Sequence, residues 1–373
     1  MDKPTVQDIF HRFYPAYLDQ YSPSPVQAKV AHNIMNCKTG AYGANVCVCE
    51  DCGFVQIHYN SCRNRCCPMC QAVPKEMWMD ARREDVLDAP YFHLVFTVPD
   101  ILNPVIYSNQ RLLYDALYHA ASSTISELTA DPKHLGAKVG YICILHTWGS
   151  EMNFHPHIHT ILLGGGLASN NQWKDNGENF FLPIRVISKM FRGKYLEELK
   201  RLWEEDKLVF HGTAEKFRNH YTFKELLDSC YGMDWIPHCK KTFNGAQTVI
   251  KYLGKYTHRI AVSNHRIVRM DDDTVTFLVK DYRNEGQWKE LTISGVEFVR
   301  RFLMHVPPRR FVRIRHYGLL CSRTKSQKLT LCRNLLGCKK YLSKLRDMEM
   351  PEILEHLYGI KVCVCKACGG HLG

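Results

Sequence analysis

The apolar positions along the chain fall into runs with two different periods. Residues 91–100, YFHLVFTVPD, form a β-branched and aromatic run closed by Pro99, the pattern of a strand. The stretch that follows, ILNPVIYSNQRLLYDALYHAASSTISEL, spaces its apolar residues as a helix does. Residues 139–149, VGYICILHTWG, read as a second strand, and 154–166, FHPHIHTILLGGG, as a third that runs into glycines. Strand, helix and two neighbouring strands predict an α+β fold on an antiparallel sheet. Further on, LEELKRLWEEDKLVF is helical in pattern, and Ala246, Val249, Ile250 and Leu253 make one apolar helical stripe. Beyond residue 266, IVRMDDDTVTFLVKD and QWKELTISGVEFVRRFLMHV alternate like a strand pair followed by a helix.

Composition narrows the class. A chain of 373 residues, 45% hydrophobic and 23% charged, can bury a sizeable core in two or three domains. Its first residues, MDKPTVQDIF, lack the layout of a signal peptide, and no apolar run approaches the roughly 20 residues of a membrane span. A soluble, cytoplasmic protein with no membrane partner is expected. Lysine and arginine outnumber acids 49 to 37, a formal charge of +12 that suits a polyanionic partner. Arg309, Arg310, Arg313, Arg315, Arg323, Lys325 and Lys328 gather in a stretch that contains no acid.

Seventeen cysteines are unevenly spread: eight lie between Cys37 and Cys70, and three between Cys363 and Cys368. Such clustering points to metal rather than to a disulfide framework. Cys49/Cys52, followed by Gly53, and Cys67/Cys70 have C-x-x-C spacing, and two such turns are expected to complete one Cys₄ zinc site around a small hairpin. His58, Cys62 and Cys66 could bind a second ion, replace one of the four ligands, or stay as buried groups. Interleaved Arg63, Arg65 and Lys75 would let this module touch phosphates. The tail, CVCKACGGHLG, carries Cys365/Cys368 with Cys363 and His371. It looks like half a zinc ribbon whose partners would be Cys321, Cys332 or Cys338, or it binds nothing.

On the third strand His157 and His159 share one face, about 7 Å apart, while Ile158 points to the other. Two imidazoles so placed can chelate a divalent ion with a third ligand, or simply be hydrogen-bonded histidines. Tyr252 and Tyr256, at i, i+4, flank the downstream apolar stripe. An aromatic pair beside a core stripe is ordinary in itself. Together with the histidine pair it makes a phosphodiester-cleaving site, in which an ion polarises the phosphate and a tyrosine attacks it. That chemistry needs an accessible single strand of DNA.

HPHIH, YLGKY, SCRNRCCPMCQ and RIRHYG (residues 313–318) together resemble the transposases of insertion-sequence family 91, two-tyrosine HUH (His-hydrophobe-His) enzymes that move by a rolling-circle mechanism. The resemblance implies an HUH nuclease domain on a central antiparallel sheet behind a Cys-rich zinc module. It assigns His157 and His159 as ligands of a catalytic Mg²⁺ or Mn²⁺, and Tyr252 and Tyr256 as paired nucleophiles forming 5′-phosphotyrosine at transposon ends. The third ligand is not fixed by the motif, and His146, His155 and Glu151 are candidates, with Pro156 distorting the strand beside His155. Family members are expected to carry histidine where this chain has Cys66. Lys251, Lys255, Arg259 and the Arg309, Arg310, Arg313, Arg315 tract are expected along the DNA path. No G-x-x-x-x-G-K-[ST] occurs, so no fused helicase is expected, and unwinding is expected to fall to host proteins or superhelical strain.

The organisation that follows is a helical lead-in and zinc module at 1–88, with a bend at Ser22-Pro23-Ser24-Pro25. An HUH domain follows at 89–265 with an insertion at about 168–239, then a basic β/α region at 266–330 and a Cys-containing tail at 331–373. A plasmid replication initiator or relaxase would use the same histidines, but the zinc module and the YLGKY spacing favour a transposase. A zinc-dependent DNA-binding regulator, or an inactivated copy, would not need intact histidine and tyrosine pairs.

Overall fold

The computed structural model describes residues 3–177, 182–235, 238–241, 249, 254, 261–281 and 285–373, with backbone only for 238–241. Two helices open it, α1 (Val6–Gln20) and α2 (Pro25–Met35). Thr5 and Asp8 form a capping box on α1, and Ser24 and Gln27 another on α2 with Pro25 at its first turn. The Ser-Pro-Ser-Pro bend is thus a helix start signal, because the cap satisfies free backbone N–H groups and proline has none to lose. A short hairpin follows, β1 (Ala44–Val48) against β2 (Val55–Tyr59), and then α3 (Ala72–Arg83).

The central sheet is built from β3 (Tyr91–Thr97), β4 (Lys138–Trp148), β5 (Phe154–Leu167), β6 (Trp173–Asp175), β7 (His238–Lys241) and, from far downstream, β11 (Ile314–Gly318). Its order is β11-β4-β5-β3-β7, with β6 on the end of β5, and every pairing is antiparallel. Between these strands lie α4 (Asn103–Ser108), α5 (Gln110–Ala130), α6 (Ile184–Glu204) and α7 (His220–Gly232). Strand alternation gives the sheet two unlike faces. Phe92, Leu94, Phe96, Tyr141, Cys143, Leu145, Ile158 and Leu162 pack against α5, α6 and α7. Ile142, Ile144, Ile161 and Leu163 form a separate core on the other face with Met79 of α3, Val249, Leu319 and Leu320. Gly166 lies where β4 crowds β5: a Cβ there would come within 2.4 Å of the Lys138 carbonyl oxygen, so the run of glycines is a packing requirement.

The remaining elements are a three-stranded sheet, β8 (Ile267–Met270), β9 (Thr274–Asp281) and β10 (Gln287–Ser294), and three helices, α8 (Gly295–Met304), α9 (Lys325–Leu336) and α10 (Met350–Tyr358). The alternating segment beyond residue 266 is therefore three strands, because Asp271 turns the chain by accepting from the Asp273 and Thr274 backbone. Ile9, Phe10, Phe13 and Phe302 belong to one core that joins α1 and α2 to this sheet and α8. The start of the chain thus shares a core with residues 267–306, since the apolar stripe of α1 is buried against α8.

Candidate active site and metal centres

His146 near the end of β4 faces His157 directly across the β4–β5 ladder, and His159 follows on the same face of β5. The three ligand atoms lie within 4.8 Å of one another, and all three side chains are buried. Ring centroids are 4.8 Å apart for His157 and His159, 4.6 Å for His146 and His159, and 5.5 Å for His146 and His157. The His155 carbonyl can only accept, so the 2.7 Å contact makes His157 Nδ1–H the donor and leaves the Nε2 lone pair facing inward. His157 Nε2 lies 3.1 Å from His159 Nε2. On its far side His159 Nδ1 is 2.9 Å from Nε2 of buried His93 on β3, with the rings stacked 5.1 Å apart. His146 stacks on Trp148, centroids 4.6 Å apart. Three inward nitrogens, two held by outer hydrogen bonds, form a donor set that fits a divalent ion.

The other two third-ligand candidates lie elsewhere. His155 turns to Asp100, 3.2 Å away, and Glu151 sits exposed in a turn 4.0 Å from the Lys289 ammonium. Tyr252, Tyr256, Lys251, Lys255 and Arg259 lie outside the described residues. Their described neighbours Val249 and Gly254 do pack on the histidine side: Val249 is buried with Met79, Ile144 and Ile161, and Gly254 lies against Met79.

The cysteines do not pair as their order in sequence suggests. Cys49/Cys52 and Cys67/Cys70 belong to two different clusters, because the β1–β2 hairpin separates them and each C-x-x-C turn meets partners from elsewhere in the fold. Cys67 and Cys70 gather with Cys37 and Cys62; Cys49 and Cys52 gather with Cys365 and Cys368. In the first cluster Cys70 Sγ lies 3.4 Å from Cys37 Sγ and 3.6 Å from Cys62 Sγ. The Cys67 thiol donates to Cys70 and holds it down to about 4, whereas burial pushes Cys62 up to about 12. One thiolate among thiols is the charge state a metal ion would draw further toward thiolate. Cys66 belongs to neither cluster: it is buried in the core near Trp148, Phe302 and Val306, and burial raises its thiol. His58 is also outside, 2.6 Å from Gln56 Nε2. Cys37, just after α2, belongs to the cysteine-rich stretch but has no C-x-x-C spacing to single it out as a ligand. The tail pair does not meet Cys321, Cys332 or Cys338; Cys332 and Cys338 instead pack in the core around α9.

The family model described as "Transposase zinc-binding domain" matches residues 9–98, and the one described as "Putative transposase" matches residues 140–328. A "Putative transposase y4qJ" of Sinorhizobium fredii is 40% identical over 98% of this chain and 93% of its own length. The chain belongs to the transposases of insertion-sequence family 91. The transposase for insertion sequence element IS801 of Pseudomonas savastanoi pv. phaseolicola is 30% identical, over 82% of this transposase and 72% of that one. Two solved structures of the conjugative relaxase TrwC with oriT DNA, copper-bound and metal-free, are similar over 46% of the chain and 65% and 68% of theirs. They have TM-scores of 0.26 and 0.24 at 14% and 15% identity, too distant to carry an argument.

The transposase uses several of its arginines for its own architecture. Arg65 donates to the carbonyls of Phe311 (2.6 Å) and Pro308 (3.2 Å), tying the zinc module to the segment before β11. Arg315 pairs with Asp115 and stacks 3.9 Å over Tyr118. It therefore points to the α5 face, opposite the histidines, because it pairs with Cys143 across the ladder. Arg313 lies 5.5 Å over Trp148, with burial pulling its guanidinium down. Arg63, Arg309 and Arg310 remain exposed. Arg65, Gln71, Arg310 and Arg313 line a groove of about 400 Å³ between the zinc module and β11. Among the described residues no helix is long and apolar enough to cross a membrane.

Proposed function

We propose that this transposase nicks and rejoins single-stranded DNA at transposon ends, with His146, His157 and His159 as ligands of a catalytic divalent ion and Tyr252 and Tyr256 as nucleophiles. The observation that carries the reading is the convergence of three buried imidazoles from β4 and β5. Bound there, Mg²⁺ or Mn²⁺ would supply Lewis-acid polarisation of the scissile phosphate. Tyrosine oxygen attacks phosphorus, the 3′-OH leaves, and the 5′-phosphotyrosine keeps the bond energy for rejoining. A second tyrosine permits a second cleavage while the first adduct persists. Trp148, stacked on His146, holds the plane of that ring. The exposed Arg63, Arg309 and Arg310 supply sequence-independent phosphate contacts beside the groove.

The reading is tested with single-stranded oligonucleotides from the element ends and Mn²⁺. A covalent protein–DNA adduct is expected that is lost in the Tyr252→Phe, Tyr256→Phe double variant and in His157→Ala. An adduct that survives His157→Ala unchanged overturns the site, and persistence in the double variant overturns the nucleophiles.

A further inference from the structure

The last residues of the chain meet the first hairpin in a cluster of four cysteines. Cys49 Sγ lies 3.5 Å from Cys368 Sγ, and Cys52 Sγ lies 3.7 Å from Cys365 Sγ, 313 residues away in sequence. Four thiolates at about 2.3 Å around one zinc ion stand about 3.8 Å apart, while a disulfide needs about 2.05 Å. Both turns have the same build. Gly53 and Gly369, each just after the second cysteine, have φ of +70° and +80°, a conformation a side chain would strain. In each turn the glycine N–H donates to the carbonyl of the first cysteine, at 2.9 Å. In the tail, the Ala367 and Gly370 N–H groups donate to the sulfurs of Cys365 and Cys368, both at 3.4 Å.

Backbone pairing continues the contact. Val48 and Gly373 exchange two hydrogen bonds, of 3.1 and 3.2 Å, and Glu50 N–H donates to the His371 carbonyl. The tail thereby bridges the chain at the end of β1, antiparallel at Cys49 and Leu372. Between this cluster and α9, the chain is gripped a second time. Buried Asp80 of α3 accepts from Tyr341 Oη (2.6 Å), Ser343 Oγ (2.6 Å) and Leu345 N–H (2.9 Å), and Glu84 pairs with Arg346 at 2.7 Å. The same α3 carries Met79, which touches Gly254 and the histidine-side core. Neither matching family model reaches the tail beyond residue 328.

We propose that Cys49, Cys52, Cys365 and Cys368 bind one structural zinc ion that fastens the C-terminal tail to the N-terminal hairpin and so clamps α3 from outside. The ion is separate from the one held by Cys37, Cys62, Cys67 and Cys70. It closes a loop of nearly the whole chain, the case in which a cross-link removes most entropy from the unfolded state.

Zinc content of the full-length protein, by elemental mass spectrometry, tests it. The Cys365→Ser, Cys368→Ser variant is expected to lose one equivalent, Cys49→Ser, Cys52→Ser the same one, and the fourfold variant no more. Hydrogen exchange in residues 341–346 should rise at least about tenfold in the tail variant. Unchanged zinc in the tail variant, or two equivalents lost in the fourfold variant, overturns the proposal. Should the variants not fold, the wild-type protein decides. Alkylation of Cys365 and Cys368 should be blocked by bound zinc and released by chelation, and equal labelling with and without zinc refutes the clamp.

Discussion

His93 Nε2 and His159 Nδ1 are 2.9 Å apart on adjacent strands, with stacked rings and neither side chain open to solvent. When His159 turns its Nε2 lone pair inward, its Nδ1–H donates to His93, which fixes the tautomer and orientation of the ring. His93→Ala is therefore expected to weaken metal binding about 10–100-fold. Calorimetric titration with Mn²⁺ checks this, and excess Mn²⁺ should restore most cleavage, which it would not do for His157→Ala.

Three neutral imidazoles are softer donors than carboxylates and favour Mn²⁺ over Mg²⁺. Direct binding should be at least about tenfold tighter for Mn²⁺. Equal affinities for the two ions would argue that a carboxylate joins the site.

The first zinc cluster makes a prediction that distinguishes neighbours in sequence. Cys37→Ser should remove one zinc equivalent, whereas Cys66→Ser should keep it, because Cys66 is buried in the core while Cys37 Sγ lies 3.4 Å from Cys70 Sγ. Zinc analysis of the two purified variants decides between them.

Asp80 should hold the tail through its hydrogen bonds as well. Burial would raise its carboxyl, but the Ser343, Tyr341 and Leu345 donors win and hold it below the usual carboxylate range. A depressed folded pKa adds stability above the unfolded value of about 3.9, lost as pH falls through the folded one. Asp80→Ala leaves three donors without an acceptor and should cost about 1–3 kcal/mol. Chemical denaturation at pH 7 measures it, and the deficit should shrink below pH 4.

Buried His305 works in the opposite pH range. Burial pulls it down to about 4, and its ring is satisfied by Thr147 and by the Met152 carbonyl. Between pH 6.5 and 4 the unfolded chain takes up a proton that the folded one refuses, so stability falls with pH by up to about 1.4 kcal/mol per unit. The slope of stability against pH in that window should flatten in His305→Gln.

The HUH pair was legible because both histidines sit on one strand, where alternation alone puts them on one face. His146 was legible only as one of three candidates. Its place beside the pair came from the β4–β5 register, which sets it opposite His157 while His155 turns to Asp100. His93 left no signal at all, since a lone histidine in an apolar strand has the same pattern whether it packs or supports a ligand. Cys37 stood in the cysteine-rich stretch, but only the fold brings it to Cys70.

Local patterns, then, determined the strands, the capped helices, the cysteine-rich ends and the family motifs, because period and turn chemistry act over a few residues. Tertiary structure decided which cysteines gather, why Arg65 and Arg315 are spent on internal contacts, and that the first hairpin and the last residues meet. Those outcomes depend on which surfaces pack together across hundreds of residues, and spacing along the chain does not encode such distances.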